Sequence, residues 1–260
     1  MLALDLLLLH QIEQIALAAG ELIMQVYRQD FSVDFKADQS PLTEADTQAN
    51  ALILAQLKTI ASDVSILSEE SSEYFDLNSS HRQYFLVDPL DGTKEFIKKN
   101  GEFTVNIALI QDGVSALGVV YAPVTGELYS ALQHHGAFKV MHNHRVAITV
   151  KSAQKPVRVM VSRSHMDDLT KKFIQQYELA STIPMGSSLK ICKIAEGEAD
   201  IYPRFGPTSL WDTAAAQAVL EQAGGLLLDL SGHPLRYADT SKILNPSFIA
   251  SCARDCYHVV

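Results

Sequence analysis

The hydrophobic and polar positions along this chain repeat with two different periods, three to four residues in some stretches and two in others. Over residues 2–27 the apolar positions fall three and four apart, with polar positions opposite, and this pattern predicts an amphipathic helix packed against a core. Residues 43–60 carry a second apolar stripe of the same kind. The chain is therefore predicted to open with two helices.

Short apolar runs with turn residues between them predict a series of β-strands in the first half of the chain. They lie at residues 31–35, 64–68, 84–88, 103–111, 114–121, 127–132, 137–140 and 146–150. Asp112-Gly113 separates two of these runs and is a hairpin signal. Two helices followed by a large, mainly antiparallel sheet form an α+β pattern.

Strands and helices alternate in the second half of the chain, which indicates a smaller α/β unit. The predicted strands are 157–161, 181–185 and 199–202, and the predicted helices are 166–177, 187–196 and 211–223. The polar segment 151–156, which ends in proline, marks a boundary. We expect an α+β unit over residues 1–153 and an α/β unit over residues 154–260, packed so tightly that they could count as one domain.

Composition narrows the class of protein. With 260 residues, 47% of them hydrophobic and 20% charged, the chain is typical of a globular protein. A net charge of −9 argues against a nucleic-acid polymer as partner, but bound cations would still admit a small anionic substrate. Three cysteines without paired spacing predict reduced thiols and a cytoplasmic location.

The leucine-rich start of the chain is not expected to cross a membrane. Asp5, Glu13 and Glu21 interrupt it, so no uncharged run approaches the ~20 residues that a bilayer requires. A peripheral attachment to the cytoplasmic face of the inner membrane stays open, although a basic face is missing. The helix is also compatible with a homodimer interface, although its apolar stripe favours burial in the core.

Two aspartates close the strand predicted at residues 84–88. Asp88 and Asp91 flank a segment with Pro89 and are followed by Gly92, so an ordinary acidic turn is one interpretation. Hard oxygen anions held on one turn are also the ligands that Mg²⁺ prefers. In phosphatases with an aspartate nucleophile the two carboxylates stand two residues apart. The spacing of three found here favours a metal site.

Other acidic residues lie at the ends of predicted elements, and two of these positions admit two interpretations each. Glu69 and Glu70 follow a strand, where they are either solvated or share a cation with the next strand end. Asp46, three residues after Thr43, fits a capping box and could also orient a water. Asp212 in a first helical turn complements the helix dipole.

Basic residues are scattered through the second half and would form a phosphate site only if they met in one pocket. They include Arg163, His165, Lys190 and Arg204.

Four separated features of the chain follow one pattern. They are Glu69-Glu70, Asp88-Pro89-Leu90-Asp91-Gly92-Thr93, Trp211-Asp212 and Gly224-Gly225. In order and spacing, over nearly the whole chain, they resemble the Mg²⁺-dependent, lithium-sensitive phosphatases of the inositol monophosphatase superfamily. The resemblance implies an inositol-monophosphatase-like αβαβα layered sandwich, which agrees with α+β followed by α/β.

Within the superfamily, four further motifs are similar to those of the bacterial 3'(2'),5'-bisphosphate nucleotidases. They are Lys94-Glu95-Phe96, Ser162-Arg163-Ser164-His165, Gly186-Ser187-Ser188-Leu189-Lys190 and Tyr202-Pro203-Arg204-Phe205-Gly206-Pro207. Such enzymes convert a small phosphorylated nucleotide, adenosine 3',5'-bisphosphate, to AMP and phosphate in sulfur assimilation. The alternatives are inositol monophosphatase or fructose 1,6-bisphosphatase activity in the same superfamily and, in another class, a non-catalytic metal-dependent binding protein.

The resemblance also implies a set of site residues. Two or three Mg²⁺ ions would be held by Glu69, Asp88, the carbonyl of Leu90, Asp91 and Asp212. Asp46 and Thr93, with Glu69, would orient and activate the attacking water. Substrate contacts would come from Gly92, Thr93, His165, Ser187, Lys190, Arg204 and Asp212. Metal assistance and positioning account for catalysis without a protein nucleophile.

Overall fold

The structure, a computed structural model, describes residues 2–36, 41–75, 82–164 and 166–256. Within these ranges the α-helices are α1 (Leu6–Tyr27), α2 (Glu44–Ile60), α3 (Thr93–Ile97), α4 (Asp168–Ile174), α5 (Leu189–Ala195) and α6 (Leu210–Gln222). The strands of the first half are β1 (Val33–Phe35), β2 (Pro41–Thr43), β3 (Ser65–Ser68), β4 (Gln83–Asp91), β5 (Thr104–Gln111), β6 (Val114–Ala122), β7 (Glu127–Leu132), β8 (Gly136–Met141) and β9 (His144–Ile148). Those of the second half are β10 (Val157–Ser162), β11 (Ala180–Met185), β12 (Ile201–Arg204), β13 (Leu226–Asp229) and β14 (Phe248–Ser251).

The N-terminal pair of helices forms as the periodicity predicts. Asp5 caps α1 by accepting a hydrogen bond from the backbone N–H of Leu8 at 2.8 Å. The apolar stripe of α1, including Ile12, Ile15 and Ile23, is buried against α2 and the sheet. By length and composition α1 could also cross a membrane, although half of its most apolar window is buried in the fold, as in a core helix.

The larger sheet has seven strands in the order β3-β4-β5-β6-β7-β8-β9. Only β3 and β4 run parallel, and the other neighbours are antiparallel. Asp112 and Gly113, with φ of 48° and 76°, join β5 to β6 in the predicted hairpin. Positive φ at both positions is what the tight two-residue hairpin turn requires.

Alternate residues of this sheet face two separate hydrophobic cores. In β4, Phe85 and Val87 pack in the cluster that contains α1 and α2, whereas Tyr84 and Leu86 pack in the cluster that contains α6. Because successive side chains of a strand point to opposite faces, helices cover the sheet on both sides. This double coverage explains why the run in β4 is apolar without alternation.

The smaller sheet has five strands in the order β11-β10-β12-β14-β13. Strand β10 is parallel to β11 and β12, and β14 is antiparallel to β12 and β13. The sequence did not predict β13 or β14. Each has only four residues and is defined by its pairing with another strand, β14 with both β12 and β13.

Helix α6 lies between the two sheets and packs closely on β6. A Cβ atom added at Gly118 would lie 2.2 Å from the carbonyl oxygen of Ala215, so only glycine allows this approach. Helix α5 packs on α6 and on β12, and α4 also contacts β12. The layers are therefore α1 and α2, the seven-stranded sheet, α5 and α6, the five-stranded sheet, and α4. This confirms the predicted αβαβα sandwich.

The predicted boundary at residues 153 and 154 lies between β9 and β10. One hydrophobic cluster nevertheless joins strands of the larger sheet to α6 and to strands of the smaller sheet. The division into units of residues 1–153 and 154–260 therefore stays a proposal about two halves that share a core.

The segment after Asp88 differs from the prediction. Strand β4 does not stop at Asp88 but continues to Asp91, with a register shift against β5. Asp88 pairs with Asn106 and Asp91 with Thr104, so β4 has one more residue than β5 over this interval. The predicted turn is therefore a β-bulge, in which an extra residue in one strand changes the direction of the neighbouring side chains.

Candidate active site

Four carboxylates reach one cleft from three elements. Glu69 follows β3, Asp88 and Asp91 belong to β4, and Asp212 lies in the first turn of α6. Because Ser68 pairs with Val87 in the parallel strands, Glu69 and Asp88 leave the same edge of the sheet. One oxygen each of Glu69, Asp88 and Asp212 lies within 4.8 Å of the others. We call the region lined by these four carboxylates the acidic cleft.

Hydrogen bonds from nearby backbone N–H groups orient Asp88 and Asp212. Asp88 Oδ1 accepts a hydrogen bond from the N–H of Leu90 at 3.1 Å. Asp212 Oδ2 accepts one from the N–H of Ser209 at 2.8 Å and forms a capping box with that residue. Asp212 thus lies in the first turn of α6 as predicted, has a capping function that was not predicted, and also lines the acidic cleft.

Burial and mutual repulsion make the acidic cleft a poor place for uncompensated anions. Burial, and then the charges of Glu69, Asp91 and Asp212, raise the pKa of Asp88 well above its usual value. Burial, and then Asp91, do the same to the pKa of Asp212. A divalent cation would relieve this repulsion, and carboxylate and carbonyl oxygens are the donors that Mg²⁺ takes. The residues present therefore fit Mg²⁺.

Asp91 lies beside the cluster formed by Glu69, Asp88 and Asp212. Its Oδ2 accepts hydrogen bonds from the N–H of Ser188 at 2.6 Å and from Nδ2 of Asn106 at 3.4 Å. Burial raises the pKa of Asp91 to about 6, although Lys190 and the Ser188 N–H act in the opposite direction. The structure thus brings Glu69, Asp88 and Asp212 together and places Asp91 at the edge of their cluster.

Asp46 connects the start of α2 to the acidic cleft. Its Oδ2 accepts hydrogen bonds from the N–H and the hydroxyl of Thr43 at 2.7 and 2.6 Å, which confirms the capping box. Its Oδ1 accepts a hydrogen bond from Thr93 Oγ1 at 3.2 Å. Burial raises the pKa of Asp46 against the lowering effect of Thr43. One carboxylate therefore caps a helix and holds the threonine that lines the acidic cleft.

Sequence reasoning missed Lys36. Its Nζ lies 2.8 Å from Glu69 Oε1 and 2.6 Å from Glu70 Oε1. Burial disfavours its charge, but Glu69 and Glu70 outweigh this effect and raise the pKa of Lys36. No spacing rule links a lysine to glutamates 33 and 34 positions away, so only the fold reveals the pair.

A second region beside the acidic cleft collects basic and hydroxyl groups. We call it the cationic pocket and define it by Ser187, Lys190 and Arg204. Lys190 is buried, and burial lowers its pKa to about 8. Arg204 Nη2 donates to the carbonyl of Pro207 at 3.0 Å, and its buried Nε has no hydrogen-bond partner among the described residues. Lys190 and Arg204 therefore give the cationic pocket positive charge that suits an anion.

Asp91, Gly92, Glu95 and Asp212 line both the acidic cleft and the cationic pocket, so the two regions adjoin. Gly92, with φ of 98°, is the N-cap residue of α3, directly before Thr93. His165, a predicted substrate contact, lies outside the described residues. All other predicted site residues that the structure describes surround this joint cleft or, like Asp46, contact a residue that does.

Ser188 and Asn106 also support the site and were not predicted. Ser188 Oγ lies 2.7 Å from Asn106 Oδ1 and 2.9 Å from Thr104 Oγ1, while the Ser188 N–H binds Asp91. Asn106 is a polar residue within an apolar strand, which is the signal that could have identified it. Ser188 lies in the glycine-serine motif that the sequence analysis noted as a whole.

The model of the inositol monophosphatase family matches residues 5–255 of this chain. The chain belongs to the inositol monophosphatase family. This confirms the resemblance that the motifs indicated. Members of the family depend on metal ions, typically Mg²⁺, in agreement with the cluster of Glu69, Asp88 and Asp212 in the acidic cleft.

Relatives within the inositol monophosphatase family match almost end to end. The 3'(2'),5'-bisphosphate nucleotidase CysQ of Shigella flexneri is 49% identical over 246 residues, 94% of this chain and 99% of the relative. CysQ from Bacteroides thetaiotaomicron superposes with a TM-score of 0.82 at 39% identity, over 94% of this chain and 96% of that one. The inositol monophosphatase from Anabaena superposes with a TM-score of 0.77 at 26% identity, over 96% of this chain and 92% of that one.

Proposed function

We propose that this chain is a Mg²⁺-dependent 3'(2'),5'-bisphosphate nucleotidase that converts adenosine 3',5'-bisphosphate to AMP and phosphate. The observation that carries the proposal is the junction of the acidic cleft with the cationic pocket. One molecule with two separate phosphates can occupy both regions at once. The similarity to CysQ along 94% of the chain supports the same activity and a role in sulfur assimilation.

The acidic cleft would hold two or three Mg²⁺ ions. Glu69, Asp88 and the carbonyl of Leu90 would hold one ion, and Asp88, Asp91 and Asp212 would hold a second. Glu69 is also available for a third, weaker ion. The chemistry that Mg²⁺ supplies in such a cleft is neutralisation of the phosphate and of the leaving oxygen.

Thr93 and Asp46 position the attacking water in this proposal. Thr93 donates its hydroxyl hydrogen bond to Asp46 Oδ1, so the lone pairs of Thr93 Oγ1 are left to accept a hydrogen bond from a water. The raised pKa of Asp46 suits it to receive the proton that the water loses through Thr93. Glu69 lines the same cleft as Thr93 and would help to activate the water. Displacement in line with the scissile bond then needs no covalent intermediate with the protein.

The cationic pocket binds the rest of the nucleotide. Lys190 acts as a point charge on the phosphate that does not react, while Arg204 offers a planar set of donors for two oxygens or for stacking on a base. Ser187 completes these contacts. His165, which lies outside the described residues, stays a predicted substrate contact. Gly92, Thr93 and Asp212 bound the space for the scissile phosphate, where Gly92 lacks a side chain.

The proposal includes a cytoplasmic location, in keeping with the reduced thiols predicted for Cys192, Cys252 and Cys256, which are all buried. A peripheral attachment to the inner membrane would use Leu6 and Leu7, which are exposed at the start of α1. A homodimer is a further part of the proposal that depends on measurement of the mass in solution.

The position of the cleaved phosphate tests the activity directly. With Mg²⁺ and adenosine 3',5'-bisphosphate, chromatography of the products should show adenosine 5'-monophosphate and inorganic phosphate, and EDTA should suppress both. Adenosine 3'-monophosphate as the product would place the wrong phosphate in the acidic cleft and contradict the proposal.

Activity as an inositol monophosphatase is the second candidate, since the likeness to the Anabaena enzyme extends over 96% of this chain. The acidic cleft alone would serve any phosphate monoester, fructose 1,6-bisphosphate included. A non-catalytic binding protein would have no use for the Thr93–Asp46 pair. Turnover of any phosphate monoester with Mg²⁺ separates that class from the enzymes.

A further inference from the structure

Glu95 occupies an unexpected position for an acidic residue. It lies on α3, only 7% exposed, and lines both the acidic cleft and the cationic pocket. The other two carboxylates that line both regions, Asp91 and Asp212, are proposed metal ligands. Glu95 is thus a third carboxylate at the junction between two sites for phosphate, and it has no role in the mechanism above.

The surroundings of Glu95 fix its side chain and leave one oxygen to accept another bond. Ser164 Oγ donates a hydrogen bond to Oε1 at 2.8 Å, and Oε2 accepts none from the described part of the chain. A Cβ atom added at Gly186 would lie 2.8 Å from Glu95 Cγ, so the side chain is packed tightly on that face. Oε2 therefore remains available to a ligand.

The charge of Glu95 determines which ligand group can lie beside it. A carboxylate repels phosphate and accepts hydrogen bonds, so the part of an anionic substrate that lies beside it is a hydrogen-bond donor and not a phosphate. In a nucleoside 3',5'-bisphosphate the ribose lies between the two phosphates and carries one hydroxyl, on the carbon next to the scissile phosphate. With the phosphates in the two regions, that hydroxyl is the donor at their junction.

We propose that Glu95 is a specificity-determining residue that accepts a hydrogen bond from the hydroxyl vicinal to the scissile phosphate. That group is the 2'-hydroxyl when the 3'-phosphate is removed. The inference rests on the proposed function and adds to it a preference for ribonucleotides over deoxyribonucleotides. A hydroxyl that binds a charged acceptor out of water discriminates strongly, because its loss leaves the acceptor without a partner.

The test compares kcat/KM for adenosine 3',5'-bisphosphate and its 2'-deoxy analogue in the wild type and in Glu95→Ala. The wild type should prefer the ribonucleotide by ~10- to 100-fold. In Glu95→Ala this ratio should fall to within about threefold of unity, because both substrates then lack the bond. Any difference in intrinsic reactivity between the two sugars cancels when the ratios of the two enzymes are compared.

Two further variants distinguish recognition from a structural role. Ser164→Ala removes the other partner of Glu95 but keeps the carboxylate, so the wild-type ratio should persist. Glu95→Gln has nearly the same shape and should lower the ratio, because a neutral amide oxygen accepts more weakly than a carboxylate. Glu95→Gln also replaces Glu95→Ala as the test of the ratio if Glu95→Ala does not fold.

The inference is overturned if the wild type hydrolyses both nucleotides equally, or if the ratio is unchanged in Glu95→Ala and Glu95→Gln. Equal losses on both substrates would mean that Glu95 only supports Ser164 or balances the charge of Lys190. These results leave the nucleotidase proposal intact, since the wild type would still release phosphate from adenosine 3',5'-bisphosphate. Failure of the wild type to hydrolyse that substrate would instead contradict the nucleotidase proposal.

Discussion

At the scale of single residues, the acidic cleft gathers anions in a place that burial makes unfavourable for them. Asp88 is 1% exposed and lies among three other carboxylates. Burial and like charge both favour the protonated acid, so the arrangement is stable with ionised groups only when cations bind. The same burial and repulsion that disfavour the ionised carboxylates in the folded protein therefore favour the binding of metal ions.

Substitution of Asp91 by Asn should abolish turnover and leave the fold intact. The amide has no charge, so it holds a divalent cation weakly, and we expect kcat/KM to fall by at least ~1000-fold. Phosphate release over a range of Mg²⁺ concentrations measures the loss, and circular dichroism checks the fold. Asp112→Asn, a change in the β5–β6 hairpin, is the matched control and should keep wild-type activity. Activity of Asp91→Asn within tenfold of the wild type would contradict the metal assignment.

Lys190 should give the nucleotide reaction a basic limb in its pH profile. Its pKa is lowered to about 8 by burial, so the ammonium is charged below that pH and neutral above it. We expect kcat/KM for adenosine 3',5'-bisphosphate to fall as the pH rises through about 8. In Lys190→Ala this limb should be absent.

The same variant tests which part of the substrate Lys190 binds. Lys190→Ala should raise KM for the bisphosphate more than KM for inositol 1-phosphate, which has no second phosphate. Steady-state kinetics on the two substrates gives the comparison. Equal losses would show that Lys190 does not bind the phosphate that stays on the nucleotide.

Residue types alone suggested several parts of the site and missed others. Asp88, Asp91 and Glu69 were found because each follows or ends a predicted strand, and the family motif added Thr93 and Asp212. Lys36 and Ser188 were missed because their partners are distant in sequence. Contacts of that kind depend on how the elements pack, which no local pattern encodes.

At the scale of elements, the close approach of α6 to β6 carries Asp212 to the sheet edge. Gly118→Ala should destabilise the protein by roughly 2 kcal/mol, because the new methyl group collides with the Ala215 carbonyl. Urea unfolding followed by circular dichroism measures the change.

Gly206→Ala is the matched control, since its Cβ would have no neighbour closer than 3.8 Å. Its free energy of unfolding should change by no more than ~0.5 kcal/mol. A Gly118→Ala variant as stable as the wild type would show that α6 lies farther from β6 than the structure indicates.

Long periodic elements were predicted well, and the elements that were not predicted are short. Helices α1, α2 and α6 and the strands of the larger sheet appear close to their predicted places because each buries a continuous stripe or face. Helix α3, with five residues, and strands β13 and β14, with four each, were not predicted. Tertiary contacts define such short elements, and their own sequences hold too few positions to show a period.

At the scale of the whole molecule, the two halves supply different parts of one site. The larger sheet provides Glu69, Asp88 and Asp91, and the second half provides Lys190, Arg204 and Asp212. Because α6 packs on both sheets, the distance between the acidic cleft and the cationic pocket is fixed by the core.

The central claim is that the cationic pocket makes a general metal-dependent phosphatase selective for a nucleotide bisphosphate. The most direct measurement is kcat/KM, with Mg²⁺, for adenosine 3',5'-bisphosphate, inositol 1-phosphate and fructose 1,6-bisphosphate under the same conditions. We predict a preference for the nucleotide of ~100-fold or more, equivalent to about 2.7 kcal/mol of transition-state stabilisation. Comparable values for the three substrates would contradict the claim and leave a phosphatase of broad specificity.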